Sequence, residues 1–315
     1  MKKTQLILML CSTAVVCALL IAATCGVAPA APAEEAKPHK TDWMHKGKFG
    51  VMFHYSQALF GKFGSEEKWD KAVNDFDVKG LANQLEGLGA GWFQITTRHM
   101  GLQLAPTKAF RDGKYPTRDL IMDLGDELPK HGVRLMLYYP TGMGINPPES
   151  YKGAAATVEE LSKRYGTRVS GWWFDNNTGI AEAQKLIAAA ARSGNPDAII
   201  GFSPGHGPRR NTPYDDFTAG NQHVPSVGMC GGRWVSGAQW HILTHMAHNW
   251  GGACKQREAS RFSPEAAAQL TKSIVDKGGV VTWDVAFSKE TGLIADPCMV
   301  PLKAIAKALG TAKKE

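Results

Sequence analysis

Short apolar runs of strand length recur along this chain, separated by stretches whose apolar residues repeat at helical spacing, and that alternation limits the folds open to it. Runs 49–53, 92–97, 134–139, 171–175, 198–202 and 280–285 read as strands, since β-branched and aromatic residues bounded by turn residues suit a buried strand. Between them, 78–88, 118–131, 157–165, 180–192 and 264–277 carry a helical period. Ser263-Pro264-Glu265 is a helix start signal, and Thr157 with Glu160 three residues on has the form of a capping box. Strands alternating with helices build βα units and a parallel sheet, and the roughly 270 residues that remain after the N-terminal region suffice for one large core. The expected fold is α/β, a (β/α)8 TIM-barrel-like single domain.

The N-terminus reads differently. Lys2 and Lys3 precede an apolar run over 6–22, and Ala28-Pro29-Ala30 offers the small residues of a cleavage site. Residues 1–30 are therefore expected to be a secretory signal peptide, 31–40 a linker rich in Ala, Pro and charge, 41–311 the folded domain and 312–315 a basic tail. Export to the periplasm or the extracellular space follows from that reading, and Ala22-Ala23-Thr24-Cys25 fits a lipoprotein processing site poorly. No later segment is apolar for long enough to span a bilayer. Without Lys2 and Lys3, the 36 basic residues fall to 34 against 29 acidic ones, a mild +5. The basic residues are scattered, so nucleic acid is not an expected partner. Outside the signal region only Cys230, Cys254 and Cys298 remain, an odd and widely spaced set that makes neither a disulfide framework nor a zinc cluster.

The aromatic run Gly171-Trp172-Trp173-Phe174 ends on Asp175. In parallel barrels the C-terminal strand ends gather catalytic groups, because the loops there vary while the strands fix their origins. Asp175 is accordingly either a catalytic carboxylate or a turn and cap residue beside Asn176 and Asn177. His54 follows the first strand, Arg98 and His99 the second, and Tyr138 and Tyr139 close the third, so four successive strands deliver His, His, Tyr and Asp to one mouth. Asp284 closes a later strand and is a candidate to orient substrate or a catalytic partner, or to act as a cap. The Gly-, Pro- and aromatic-rich region 203–249 is too long for a plain connection, and such loops are commonly functional. His241, His245 and His248 would share one face of a helix and suit zinc there, but they lack the glutamate of HExxH sites, and no metal is expected.

Taken in order, Lys48-Phe49-Gly50-Val51-Met52-Phe53-His54, Thr96-Thr97-Arg98-His99, Tyr115-Pro116-Thr117-Arg118-Asp119-Leu120, Leu137-Tyr138-Tyr139, Trp173-Phe174-Asp175 and Lys277-Gly278-Gly279 resemble the motifs of the α-L-fucosidases of glycoside hydrolase family 29. The resemblance implies a retaining glycosidase without cofactor, with Asp175 as nucleophile. It implies that His54, His99 and Tyr139 bind the sugar, and that Trp250 in Asn249-Trp250-Gly251 lines its apolar face. Arg210 or Arg209 matches an arginine that the family places near the substrate. The partner implied is a fucosylated oligosaccharide or polysaccharide, and the oligomeric state is left open. No C-terminal β-sandwich is expected.

Retaining hydrolysis needs a nucleophilic carboxylate and a second carboxyl about 5–5.5 Å away that protonates the leaving oxygen. Here the sequence departs from the family. Met100 replaces the second histidine of a His-His pair, and the best register puts Asn221, an amide, where many members carry the acid/base glutamate. Asp215, Asp216 and Glu258 are the remaining candidates, each with an ordinary alternative as a turn residue or surface ion pair. The alternatives to a fucosidase are a glycan-binding protein that has lost its proton donor, a glycosidase for another or sulfated sugar, and a metal-dependent hydrolase built on the three histidines.

Overall fold

The structure is a computed structural model and describes residues 38–56, 66–99, 104–105, 116–141, 150–175, 179–203, 207–225, 227–228, 230–251 and 260–313. The proposed signal peptide, most of the linker, Glu258 and Cys254 lie outside them. Seven parallel strands form one sheet in the order β5-β4-β3-β2-β1-β9-β8. They are β1 (Phe49–Phe53), β2 (Trp92–Thr96), β3 (Arg134–Pro140), β4 (Val169–Asp175), β5 (Ile199–Phe202), β8 (His241–His245) and β9 (Val280–Asp284). A short hairpin, β6 (Trp234–Val235) with β7 (Ala238–Gln239), leads into β8.

The gap between β5 and β8 is spanned by an irregular segment, 216–222. Asp216 N–H donates to Ile200 O at 2.8 Å on one side, while Thr218 N–H donates to Gln239 O at 2.9 Å and Leu243 N–H to Gly220 O at 3.0 Å on the other. This segment occupies the eighth strand position of a TIM-barrel-like ring, and its backbone groups are thereby paired rather than orphaned.

Side chains alternate across this sheet as the strand period requires. Phe49, Val51 and Phe53 of β1, Leu135, Leu137 and Tyr139 of β3, and Trp172 and Phe174 of β4 belong to the outer core under the helices. Met52, Trp92, Met136, Tyr138, Trp173, Ile199 and Leu243 fill the barrel interior with Phe217 and Ala219 of the bridging segment. Gly50 is required here, since a Cβ would lie 2.2 Å from the Trp92 indole nitrogen. The indole passes over β1 and donates to Thr282 Oγ1 of β9 at 2.9 Å.

Helix α1 (Asp42–Gly47) packs Met44 into the inner core, whereas α2 (Glu66–Asn74), α3 (Val78–Leu88), α4 (Leu120–Glu127), α5 (Ser150–Tyr165), α6 (Ala181–Ala191), α7 (Pro264–Val275) and α8 (Asp296–Leu309) lie outside. Ser263 caps α7 through Ala266 N–H at 3.2 Å, as its sequence signal predicts. The Thr157 capping box does not form: α5 begins at Ser150, and Thr157 lies within it, donating its hydroxyl to Gly153 O. In the Thr117-Arg118-Asp119 motif, Arg118 donates to the carbonyls of Val73, Asn74 and Phe76, and Asp119 caps α4. That motif braces the scaffold. No described helix is long and apolar enough to cross a membrane.

Candidate active site

The ends of the strands converge on one mouth. Tyr138 is an inward residue of β3, stacked on Trp173 with ring centroids 5.0 Å apart. Its hydroxyl donates a short hydrogen bond to Asp175 Oδ2. Asp175 is half-buried at the end of β4, where Thr141 N–H donates to its carbonyl at 2.8 Å and fixes the strand end against β3. Burial, then the adjacent Asp175 charge, holds the Tyr138 phenol well above its usual range. The phenol therefore stays a donor and Asp175 keeps an oriented carboxylate oxygen.

His54 packs edge-on against Tyr138, His99 and Trp250, with centroids 5.3, 5.5 and 6.0 Å away. Its Nδ1 faces Asp284 Oδ1 at 3.0 Å. Burial acts to lower the His54 pKa, but the charge and hydrogen bond of Asp284, joined by the charge of Asp175, outweigh it and leave the imidazole raised. At His99 burial wins, reinforced by the His54 charge and opposed by Asp175 and Asp284, so this imidazole is lowered. Two neighbouring imidazoles are thus pushed in opposite directions, a pattern that separates charged from neutral roles.

A second group of rings lies across the mouth. His245 Nδ1 is 2.6 Å from Ala247 O, and a carbonyl only accepts, so Nδ1 carries the proton and Nε2 the lone pair. His223 Nδ1, 3.0 Å from that Nε2, must then donate to it. His223 Nε2 in turn faces the indole N–H of Trp250 at 3.4 Å. Trp250 also packs on His245 with centroids 4.8 Å apart. Burial lowers the His245 imidazole, in keeping with its acceptor role.

No family model and no curated protein matches the sequence, but solved structures do match the fold. An α-L-fucosidase isoenzyme from Paenibacillus thiaminolyticus superposes with a TM-score of 0.67 at 17% identity, over 85% of this chain and 74% of that one. An α-L-fucosidase from Lactobacillus casei in complex with α-L-fucose gives 0.65 at 16%, over 85% and 97%. An endo-fucoidan hydrolase of glycoside hydrolase family 107 gives 0.66 at 13%, over 86% of this chain but only 53% of that one. The barrel is fucosidase-like.

On that barrel, His54, His99 and Asp175 come together at the mouth as their strand-end positions imply, and Trp250 joins them from the turn after β8. Tyr139 does not. Successive strand residues face opposite ways, so Tyr139 lies in the outer core, where burial pushes its phenol up to about 12, and Tyr138 occupies the mouth. Asp215 is 2% exposed and accepts from the backbone N–H groups of Phe202, Asn211 and Thr212 at 2.9, 2.7 and 2.8 Å. Asp216 accepts from Ile200 N–H and pairs with Arg192 at 2.7 Å, below the mouth on β5. Arg210 donates to the carbonyls of Ser236 and Pro213, holding the β6–β7 turn. All three are structural brackets of the irregular segment. Asn221 pairs in register with Leu243, in the bridging segment.

The three-histidine face is absent because the segment is strand β8, not a helix. His241 lies inside the barrel, with Nδ1 2.8 Å from Thr218 O and Nε2 2.8 Å from Thr282 Oγ1, and burial lowers its pKa to about 4. Among the described residues no three His, Cys, Asp or Glu side chains are grouped to hold a metal. Cys230 and Cys298 are free thiols. His223 had only one weak sequence signal, its place two residues after Asn221 in a region too long to be a simple loop.

Proposed function

We propose that this protein is a retaining glycoside hydrolase that releases α-L-fucose from fucosylated glycans through a covalent intermediate on Asp175. The observation that carries the reading is the Tyr138 hydroxyl donating to an aspartate at the end of β4, ringed by His54, His99 and Trp250 in a fucosidase-like barrel. The histidines supply hydrogen bonds to ring hydroxyls, and the Trp250 indole supplies an apolar wall for the deoxy sugar's methyl and ring carbons. Asp175 attacks the anomeric carbon as the bond to the leaving oxygen breaks, and water later cleaves the glycosyl ester.

The leaving oxygen needs a proton. Asp215 and Asp216 are committed to the scaffold, and Asn221 cannot donate one as an acid. His223 is exposed at the rim and backed by His245, whose lone pair holds the His223 Nδ1 proton, so a further proton taken up from solvent resides on Nε2 in place of the long Trp250 N–H contact. That imidazolium is the proposed acid, and the neutral ring is the base that activates water in the second step.

Hydrolysis of 4-nitrophenyl α-L-fucoside beside a natural fucosylated oligosaccharide tests this reading, with Asp175→Asn as control. Nitrophenolate leaves without protonation, whereas a sugar alcohol requires an acid. Turnover of both substrates by wild type and of neither by the variant is expected. Turnover of neither by wild type would favour a glycan-binding protein, the reading that Asn221 at the acid's register supports.

A further inference from the structure

Asp284 is the last residue of β9 and is 1% exposed, yet it carries a charge into the barrel. A buried carboxylate is tolerated only where partners replace its water. Asp284 has an ion-pair neighbour on one side and a hydrogen bond on the other. Its Oδ1 faces His54 Nδ1 at 3.0 Å, and its Oδ2 accepts the Gly251 N–H at 2.7 Å. The backbone sets this up, since Asp284 is in register with Met52 on β1 and with His245 on β8.

Gly251 adopts φ +70°, and a Cβ there would stand 3.0 Å from His54 Cβ. The Trp250-Gly251 turn is therefore folded directly against the histidine, and the same carboxylate ties both down. With Nδ1 turned to Asp284, Nε2 is the nitrogen that can reach a sugar. Whether it donates or accepts depends on whether the ring is charged.

Building on the fucosidase reading, we propose that Asp284 is the positioning residue of the site, acting through His54 and Gly251 so that one buried carboxylate keeps the histidine a two-sided donor and seats the Trp250 wall. The other groups facing His54 are Asp175 on β4, Tyr138 on β3 and His99 after β2, with His223 and His245 beyond Trp250. Asp175 works in the same direction as Asp284 but is already bound by Tyr138. Asp284 is the partner in direct contact.

The test reads the ligand-free protein by NMR and then the reaction. In Asp284→Asn the titration midpoint of the His54 ring is expected to fall by at least about one pH unit, and the alkaline limb of kcat/KM for 4-nitrophenyl α-L-fucoside to fall with it. In Asp284→Ala the Gly251 amide is expected to exchange at least tenfold faster, while Asp284→Asn, which keeps an acceptor oxygen, retains most of its protection. An unmoved His54 midpoint in Asp284→Asn overturns the proposal. Should neither variant fold, the wild-type Gly251 amide shift decides: it titrates with the His54 midpoint if both share the carboxylate, and independence overturns the proposal. Failure of wild type to hydrolyse the fucoside counts against the fucosidase reading alone, because the two NMR readouts need no substrate.

Discussion

The two sides of the mouth are built on different chemistry. On the side of β1, β3, β4 and β9, charges are packed together: Asp175 under a phenol, His54 against Asp284, each bond made by a residue at the end of a regular strand. On the side of 216–223 and β8, the groups are rings joined in a chain from Ala247 O through His245 and His223 to Trp250. A nucleophile needs a fixed charge and fixed direction, which buried hydrogen bonds supply. A group that must take up and give back a proton needs solvent access, which an exposed imidazole backed by an acceptor has.

Removing the proposed nucleophile of the charged side is expected to have the largest effect. Asp175→Asn should lower kcat by at least about a thousandfold on aryl and natural fucosides alike, and equal activity with wild type would remove the basis for the charged side's role. Next comes the ring side. His223→Gln should cost about a hundredfold on a fucosylated oligosaccharide but less than about tenfold on the nitrophenyl fucoside; equal losses on both would show that His223 does not protonate the leaving group.

A finer contrast separates adjacent tyrosines. Tyr138→Phe removes a hydrogen bond to a charged group, of the order of 1.5–3 kcal/mol, so kcat/KM should drop about ten- to a hundredfold. Tyr139→Phe in the outer core should leave kcat/KM unchanged and move stability by about 1 kcal/mol. Kinetics and urea unfolding on the pair would read both, and the reverse pattern would mean that the strand's facing is wrong.

A last contrast, in stability rather than rate, lies beneath the mouth. Burial holds His241 at about 4 in the folded chain, against roughly 6.5 when unfolded. The unfolded state therefore takes up the proton first as pH falls below about 6.5, and about 3 kcal/mol of stability is lost by pH 4. His54 has the opposite sign: its raised value contributes stability that is fully present below about pH 6.5 and lost as pH rises through the folded value. Urea midpoints of wild type and His241→Gln at pH 7 and pH 4 should converge; a constant gap would show that His241 is not held neutral.

The βα alternation was legible because burial on both faces of a parallel strand leaves continuous apolar runs, and strand ends can be located from where those runs stop. His54, His99 and Asp175 stand where those runs stop. Tyr139 and Tyr138, adjacent at a strand end, look alike in one dimension, and only the facing of β3 separates them. The histidines of β8 fit helical spacing as well, since 241 and 245 share a face in a helix and in a strand alike. Asp215 and Asp216 carry no mark of being brackets, because their partners are backbone groups of the loop 207–212 and groups farther back in the chain, the β5 backbone and the Arg192 side chain.

By itself the sequence determined the repeating units and the strand-end groups of the charged side, because local periodicity and the apolar-to-polar switch are properties of consecutive residues. Tertiary structure alone decided that Asp284 meets His54, some 230 positions apart, that an irregular segment fills the eighth strand position, and that His223 leans on His245. Those contacts follow from ring closure, which brings the first and last strands together, and no local pattern encodes a closure made by the whole sheet.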